Sequence, residues 1–213
     1  MKNREFEYLG NQHKLSVPIL KIRNFYTEDE CSQIWSEIEF LSQRNKFKPP
    51  NQTGAAFDIN HVSLKDNLGL FLDSVYADRD VSNILSINRN LFDPTFIEQC
   101  VKFNPLFRYI ESCNRDFTLL SYYGENCKYD AHSDMSALSC ISYFYKEPRC
   151  FNGGDLHFPE YDLTIEIENN MMIIFPSCLF HQVLPVKTHK NYVRGFGRYS
   201  ITQFLQSTVN YEG

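Results

Sequence analysis

A histidine and a carboxylate stand two residues apart in His132-Ser133-Asp134. On a strand or turn this spacing puts both side chains on one face, where both can reach the same ion. A second histidine, His181, follows the apolar run MMIIFPSCLF, where a side chain can point inward from a strand end. Two imidazoles and one carboxylate make a facial triad, which holds Fe(II) on one side and leaves three positions open. The spacing therefore predicts a catalytic metal site.

Short runs rich in β-branched and aromatic residues follow Asp116 and would carry these side chains. In chain order they are FTLLSYY, SCISYFY, DLHF, LTIEI, MMIIF, HQVLPV and RYSITQF. Turn-forming residues separate them, at Gly124, 147–154, 168–170 and 176–177. Regular short strands of this kind predict an all-β sandwich or barrel in the C-terminal half.

The first half of the chain predicts helices that support this β-rich part. Thr27 and Glu30 have the spacing of a capping box, and apolar residues then recur at helical intervals. A second helix should begin at Pro94 with Asp93 as its N-cap. A third is expected from Leu106 to Cys113.

No internal repeat or low-complexity linker divides the 213 residues. We therefore predict one domain over residues 1–213, in the α+β or mainly β class. Its helical support would lie mainly in residues 20–115 and its β core in residues 116–206.

Composition and charge exclude several classes of protein. With 15% aromatic and only 22% charged residues, the chain should fold rather than stay disordered. A net charge of -5 and the lack of a basic cluster argue against nucleic-acid binding. No apolar run suits a membrane span or a signal peptide, and seven cysteines without a C-x-x-C pair predict free thiols. We therefore expect a cytoplasmic monomer or weak homodimer with no nucleic-acid or membrane partner.

Five motifs occur in a fixed order along the chain. They are NFYTEDEC (24–31), YYG (122–124) with Tyr129 and the His132-Ser133-Asp134 group, FNGGDLHFP (151–159), FPSCLFHQVLPV (175–186) and RYSIT (198–202). This order resembles the Fe(II)- and 2-oxoglutarate-dependent dioxygenases, specifically the prolyl-4-hydroxylase-like branch, from about Leu20 to Leu205. The resemblance implies a double-stranded β-helix (a jelly-roll, cupin-like core) with the N-terminal helices packed on one sheet.

The resemblance also implies a role for individual residues. His132, Asp134 and His181 would ligate Fe(II), while 2-oxoglutarate would chelate the iron and leave one position to O2. The far carboxylate of 2-oxoglutarate would pair with an arginine, whose fork suits a carboxylate. Arg198 matches the family context although it lies farther from His181 than usual, and Arg194 is the alternative.

Further polar residues are implied as cofactor-binding. Tyr122 and Tyr129 stand where the family directs a tyrosine hydroxyl toward 2-oxoglutarate or the substrate, and Ser200 and Thr202 share the strand face of Arg198. Each has an alternative interpretation as a packing or sheet residue. His13, His61 and His189 lack a partner at ligand spacing and are expected at the surface. His157 stands where the family motif has a variable residue, and the resemblance implies that it faces solvent or substrate rather than the metal.

The substrate is left open by these motifs, which concern the iron and the co-substrate only. Asp134 favours hydroxylation, because related halogenases have a small residue there. Peptidyl proline is the first expectation, and a free amino acid or small metabolite is the alternative. A non-catalytic β-helix module that binds metal or sugar is a third hypothesis. Candidate lids over the substrate are Lys46–Asp66 and Tyr145–Asn152, and ascorbate is an expected reductant.

Overall fold

A computed structural model describes residues 3–10 and 17–208. The strands are β1 (Glu5–Tyr8), β2 (Leu20–Arg23), β3 (Lys65–Asp66), β4 (Leu68–Phe71), β5 (Arg115–Tyr123), β6 (Lys128–His132), β7 (Leu138–Phe144), β8 (Phe151–Gly153), β9 (Leu156–Phe158), β10 (Leu163–Ile165), β11 (Met171–Pro176), β12 (His181–Val183), β13 (Val186–Thr188) and β14 (Arg198–Gln206). The α-helices are α1 (Glu28–Gln43), α2 (Asn83–Ile87), α3 (Pro94–Val101) and α4 (Tyr109–Ser112). Among these described elements, no helix is both long and apolar enough to cross a membrane.

Two antiparallel sheets form the β core. The larger has the strand order β1-β2-β11-β7-β14-β5-β4, and the smaller has the order β10-β9-β12-β6-β3. Strands β13 and β8 pair separately. From β5 onward the chain passes repeatedly between the two sheets, with β5, β7, β11 and β14 in the larger and β6, β9, β10 and β12 in the smaller, as in a jelly roll. The mainly β fold expected from the sequence is confirmed.

The larger sheet is buried on both faces, and successive residues of each strand point alternately to one face and the other. Along β14, Tyr199 and Ile201 point to the helical side, where they join a core formed with α1 and α3. Ile141 and Ile173, on β7 and β11, point to the smaller sheet and join a second apolar core. Residues of β14 with the same parity as Arg198 therefore lie between the two sheets.

The predicted helix starts are present. The Thr27 Oγ1 atom accepts a hydrogen bond from the Glu30 backbone N–H, and the Glu30 carboxylate accepts from the Thr27 N–H, which completes the capping box. Asp93 caps α3, accepting from the Phe96 N–H at 2.9 Å. The third predicted helix is a 3-10 turn, Pro105–Arg108, followed by the short α4.

Several short strands of the first half complete the two sheets. Strands β1 and β2 extend the larger sheet beyond β11, β4 closes its other edge against β5, and β3 is an edge strand of the smaller sheet. None exceeds four residues. Such short segments give too few positions for an alternating pattern to stand out in the sequence.

A buried carboxylate joins α1 to α2. Glu37 accepts hydrogen bonds from the Ser82 hydroxyl at 2.7 Å and from the Ile84 backbone N–H at 2.9 Å. Glu37 is only 6% exposed, so water cannot replace these bonds. The Glu37 carboxylate therefore fixes the helical layer that supports the larger sheet.

Replacing this carboxylate should destabilise the protein. We expect Glu37→Ala to lower the free energy of unfolding by about 2–3 kcal/mol, because two buried donors lose a charged acceptor. The matched control is Glu39, which is exposed, lies on the same helix as Glu37 and pairs with Lys146. Its replacement by alanine should cost less than about 1 kcal/mol in urea denaturation. Equal losses for the two variants would contradict this role of Glu37.

Candidate active site

Three potential metal ligands meet between the two sheets. His132 ends β6, His181 begins β12, and the two residues are direct partners in the strand pairing. Asp134 lies just beyond β6, where its N–H donates to the Ser177 carbonyl at 2.9 Å. Its carboxylate oxygens lie 3.8 Å from the His132 Nε2 and 3.5 Å from the His181 Nε2. One donor atom from each residue lies within 4.8 Å of the others, which is close enough to share an ion.

Backbone carbonyls fix the orientation of both imidazoles. The His132 Nδ1 lies 2.8 Å from the Asp130 carbonyl, and the His181 Nδ1 lies 2.9 Å from the Leu179 carbonyl. Each Nδ1 therefore carries the proton, and each Nε2 presents a lone pair toward Asp134. Burial, with a contribution from His181, lowers the pKa of His132 to about 3. A neutral imidazole is the form that binds metal.

A chain of serine hydroxyls supports the carboxylate of Asp134. The Ser139 hydroxyl donates to the Asp134 Oδ2 at 2.5 Å and lies 2.8 Å from the Ser177 hydroxyl. Ser136 lies 2.6 Å from the same Ser177 hydroxyl. Ser139 and Ser177 are fully buried. Sequence reasoning missed this network, although Ser177 belongs to one of the five motifs.

The donor set fits Fe(II). Two imidazole nitrogens and one carboxylate oxygen are the ligands of the facial triad, and the structure brings all three together. The serine network and the two carbonyl contacts supply the outer-shell bonds that metal ligands usually have.

Arg198 lies in the same cavity as the three candidate ligands, which we call the metal cavity. It begins β14, is 1% exposed, and its guanidinium lies 4.5 Å from the centre of the Tyr123 ring and 4.9 Å from that of Tyr143. One guanidinium nitrogen donates to the Ser200 hydroxyl at 3.3 Å. The Arg198 Nε and the Tyr143 hydroxyl have no hydrogen-bond partner among the described residues.

This buried cation fits an anionic ligand. No carboxylate of the described residues pairs with Arg198, although a buried charge is costly without a partner. The unsatisfied Nε and the fork geometry suit the far carboxylate of 2-oxoglutarate. Arg194 lies before β14 and lines a different cavity, of about 300 Å³, beside Phe47 and Tyr122. Of the two arginines, only Arg198 lines the cavity that contains the candidate metal ligands.

Gly154 makes room for the Arg198 side chain. Its φ is +72°, and a Cβ there would lie 2.9 Å from the Arg198 Cδ and 2.9 Å from the Val186 Cγ2. Only glycine combines that backbone conformation with that close approach. The Gly-Gly pair, expected only to form a turn, thus also shapes the cavity.

The predicted tyrosines lie in different places. The Tyr129 ring stacks on His132 with 3.5 Å between ring centres, and the Tyr129 hydroxyl accepts from the Ala56 N–H at 3.0 Å. Tyr122 points away from the cavity, where its ring packs on Tyr199 and its hydroxyl contacts Tyr192. The expectation that Tyr122 contacts 2-oxoglutarate is not supported, because strand parity turns it to the helical face.

The neighbouring Tyr123 takes the position expected of Tyr122. It lines the metal cavity with Ser200 and Thr202. Burial raises the pKa of Tyr123 to about 12, with the adjacent Arg198 acting in the opposite direction. The phenol therefore remains a neutral hydroxyl beside the guanidinium.

Lys65 is a second cation in the cavity that sequence reasoning did not single out. It is 3% exposed, and its Nζ donates to the Thr53 carbonyl and to the Thr53 hydroxyl, both at 3.1 Å. The ammonium lies 5.6 Å from the centre of the Tyr129 ring. Burial lowers the pKa of Lys65 to about 8, against a smaller opposing effect of Asp134.

An open cleft of about 640 Å³ adjoins the metal site. Its lining is mainly apolar and includes Phe71, Phe117, Met135 and Phe204, with Gly54, Ala55 and Ala56 from the predicted lid Lys46–Asp66. Asp134 and Tyr129 reach into this cleft as well. Part of Lys46–Asp66 thus lies where a lid would contact substrate.

The second predicted lid, Tyr145–Asn152, does not border the site. None of its residues lines the cleft or the metal cavity. The Arg149 side chain instead donates to the carbonyls of Phe151 and Gly153, which holds this connection against the strands below it.

The remaining histidines and the cysteines show no ligand geometry in the described part of the chain. His157 contacts the Thr164 hydroxyl at 2.8 Å, and His61 and His189 line neither the cleft nor the metal cavity. His13 lies outside the described residues. All seven cysteines are free of disulfides.

The β-rich part of the chain matches a known family model. A family model described as the 2OG-Fe(II) oxygenase superfamily matches residues 117–206, which include all three candidate ligands and Arg198. A search of curated proteins returned no match.

Three solved structures share the fold. A prolyl-4-hydroxylase from Pseudomonas putida has a TM-score of 0.59 and 14% identity, over 91% of this chain and 95% of that protein. The viral collagen prolyl hydroxylase from Paramecium Bursaria Chlorella virus-1, in its 2OG complex, has a TM-score of 0.50 and 14% identity, over 88% and 94%. A 2OG-Fe(II) oxygenase family oxidoreductase from Burkholderia pseudomallei has a TM-score of 0.52 and 14% identity, over 82% and 79%.

These likenesses show that the jelly roll is the double-stranded β-helix of such oxygenases. The family match lies in the same β-rich part of the chain and contains the His132, Asp134 and His181 group. The comparisons therefore match residues 117–206 to the 2OG-Fe(II) oxygenase superfamily and show that the chain shares the fold of such oxygenases.

Proposed function

We propose that this protein is a 2OG-Fe(II) oxygenase that hydroxylates an unactivated carbon, with peptidyl proline as the first-choice substrate. The observation that carries the proposal is the meeting of two kinds of group in one cavity. His132, Asp134 and His181 can hold iron, and the unpaired guanidinium of Arg198 can hold a carboxylate.

The residues of the chain have distinct tasks in this reaction. Bound Fe(II) and 2-oxoglutarate supply the activation of dioxygen. His132, Asp134 and His181 hold the metal, and Arg198 orients the co-substrate through its far carboxylate. Tyr129, Ser200 and Thr202 line the same cavity and are proposed as further co-substrate contacts.

Apolar side chains keep water from the reacting atoms. Leu119, Ile141 and Val183 complete the lining of the metal cavity, and each belongs to a strand of the two packed sheets. Exclusion of water strengthens the charged contacts of the site and limits side reactions. This arrangement favours catalysis over the alternative of a metal-binding or sugar-binding module.

The cleft supports a peptide substrate. Its apolar walls suit a pyrrolidine ring, and Met135 at its edge is 98% exposed, which leaves that side open to a longer chain. Two of the similar structures are described as prolyl hydroxylases. A free amino acid or small metabolite remains the second candidate substrate.

Further proposals concern the setting of the enzyme. The free thiols and the need to keep iron as Fe(II) suit a reducing compartment, and we propose the cytoplasm. We also propose that the chain acts as one domain, as a monomer or weak homodimer, with ascorbate as reductant.

Succinate release tests the reaction class. The iron-loaded protein should convert 2-oxoglutarate to succinate slowly even without substrate, and His132→Ala should reduce this to the level without iron, because one of three ligands is lost. His157→Ala removes an imidazole outside the cavity and should retain the activity. No succinate above the His132→Ala background would favour the non-catalytic module.

Mass spectrometry of products tests the substrate. Proline-containing peptides should gain one oxygen atom in the presence of the wild-type enzyme, and the same peptides with His132→Ala should not. Oxygen gain only on members of a free amino-acid panel would replace peptidyl proline with the second candidate.

Binding measurements separate the two arginines. Arg198→Met should raise the dissociation constant for 2-oxoglutarate by on the order of 30-fold or more, since a buried carboxylate would lose its charged partner. Arg194→Met should leave it unchanged, because Arg194 lies in another cavity. Titration of the Mn(II)-loaded protein by calorimetry measures both. The reverse result would assign the co-substrate to Arg194.

Removing the support of Asp134 should weaken metal binding. Ser139→Ala deletes the hydroxyl that donates to the Asp134 Oδ2, and we expect the affinity for Co(II) to fall about tenfold. The exposed Ser86 is the control, and Ser86→Ala should bind Co(II) like the wild type. Unchanged affinity in Ser139→Ala would show that the serine network does not position the ligand.

A further inference from the structure

Lys65 is a buried cation to which the proposed function assigns no role. It lies on β3, directly opposite Tyr129 of β6, on the smaller sheet. Arg198 lies on β14 of the larger sheet. Both side chains line the cavity that contains His132, Asp134 and His181. The metal site is thus flanked by one cation from each sheet.

The Lys65 ammonium makes no direct ion pair within the described part of the chain. Its acceptors are the neutral carbonyl and hydroxyl of Thr53, and no carboxylate of the described residues forms an ion pair with it. An ammonium has three donors, so one N–H remains for a further acceptor. Burial of an unpaired ammonium is costly, and a buried cation beside a cleft is a candidate for a functional site.

Lys65 borders the metal cavity but not the open cleft. A ligand in that cavity therefore meets Lys65, whereas a substrate in the cleft meets Ala56 and Tyr129 first. A dicarboxylate extended between the two cations could pair with each of them. 2-Oxoglutarate has this chemistry, with one carboxylate at its far end and one beside its keto group.

We propose that Lys65 binds the carboxylate of 2-oxoglutarate that lies beside the keto group, while Arg198 binds the far carboxylate. The inference rests on the proposed function, because it assigns a second contact to the same co-substrate. Lys65 is then a positioning residue that orients the reactive end of 2-oxoglutarate toward the metal.

Two ligands of different length test this assignment. 2-Oxoglutarate has both carboxylates, whereas 2-oxobutyrate keeps the carboxylate beside the keto group and lacks the far one. Dissociation constants of both are measured by calorimetry on the Mn(II)-loaded protein, so the readout does not depend on turnover. Circular dichroism and thermal unfolding check that each variant is folded.

The two cations should give different patterns. Lys65→Met should weaken both ligands about tenfold or more, because both keep the near carboxylate. Arg198→Met should weaken 2-oxoglutarate but not 2-oxobutyrate. Lys65→Arg, which keeps a cation, should bind more tightly than Lys65→Met.

Thr53→Val is the matched control for an indirect effect, in which Lys65 acts only by holding the loop segment that contains Thr53. It removes one neutral oxygen from the Lys65 ammonium but keeps the charge, so binding of both ligands should stay within about twofold of the wild type. A tenfold loss in Thr53→Val would show that Lys65 acts only by holding the loop, which would overturn the assignment.

Other outcomes are equally decisive. Wild-type affinity for both ligands in folded Lys65→Met and Lys65→Gln would overturn the inference while leaving the proposed function intact. A loss confined to 2-oxoglutarate would place Lys65 at the far carboxylate and also contradict the assignment. Failure of the wild type itself to bind 2-oxoglutarate would instead contradict the proposed function.

Discussion

Charge buried between two apolar sheets is the constraint on which the rest of the structure depends. A carboxylate, Asp134, and two cations, Arg198 and Lys65, all lie in one cavity with little access to water. Groups of this kind are costly to bury unless each has a partner. Within the described residues the chain supplies neutral partners, namely serine and threonine hydroxyls and aromatic rings, and leaves the opposite charges to a metal ion and an anionic ligand.

The fold meets this constraint by assigning its two sheets different parts of the site. The smaller sheet carries the candidate metal ligands His132 and His181 on paired strands, so their positions depend on backbone hydrogen bonds rather than on side-chain packing. The larger sheet carries Arg198, and Gly154 clears the space beside its aliphatic stem. Helices on the opposite face of the larger sheet cover its remaining residues, so the face between the two sheets can carry the side chains of the cavity.

The sequence predicted the parts of this arrangement that depend on local patterns. The ligand spacing around Asp134 and the cap at Thr27 involve neighbours in the chain, and the structure brings both sets together. The sequence points to Tyr122, whereas the structure places Tyr123 in the cavity. Strand register decides which of the two adjacent tyrosines faces inward, and local sequence does not reveal that register. Lys65 was missed because it follows a loop-like segment, and its burial arises from pairing with β6, far away in sequence.

A crystal structure of the protein with Mn(II) and 2-oxoglutarate would show whether a single cavity holds both the metal ion and the co-substrate. We predict one Mn(II) ion bound by the Nε2 atoms of His132 and His181 and by the Asp134 carboxylate, with the far carboxylate of 2-oxoglutarate paired to the Arg198 guanidinium. Mn(II) bound elsewhere, or 2-oxoglutarate bound outside this cavity, would contradict it.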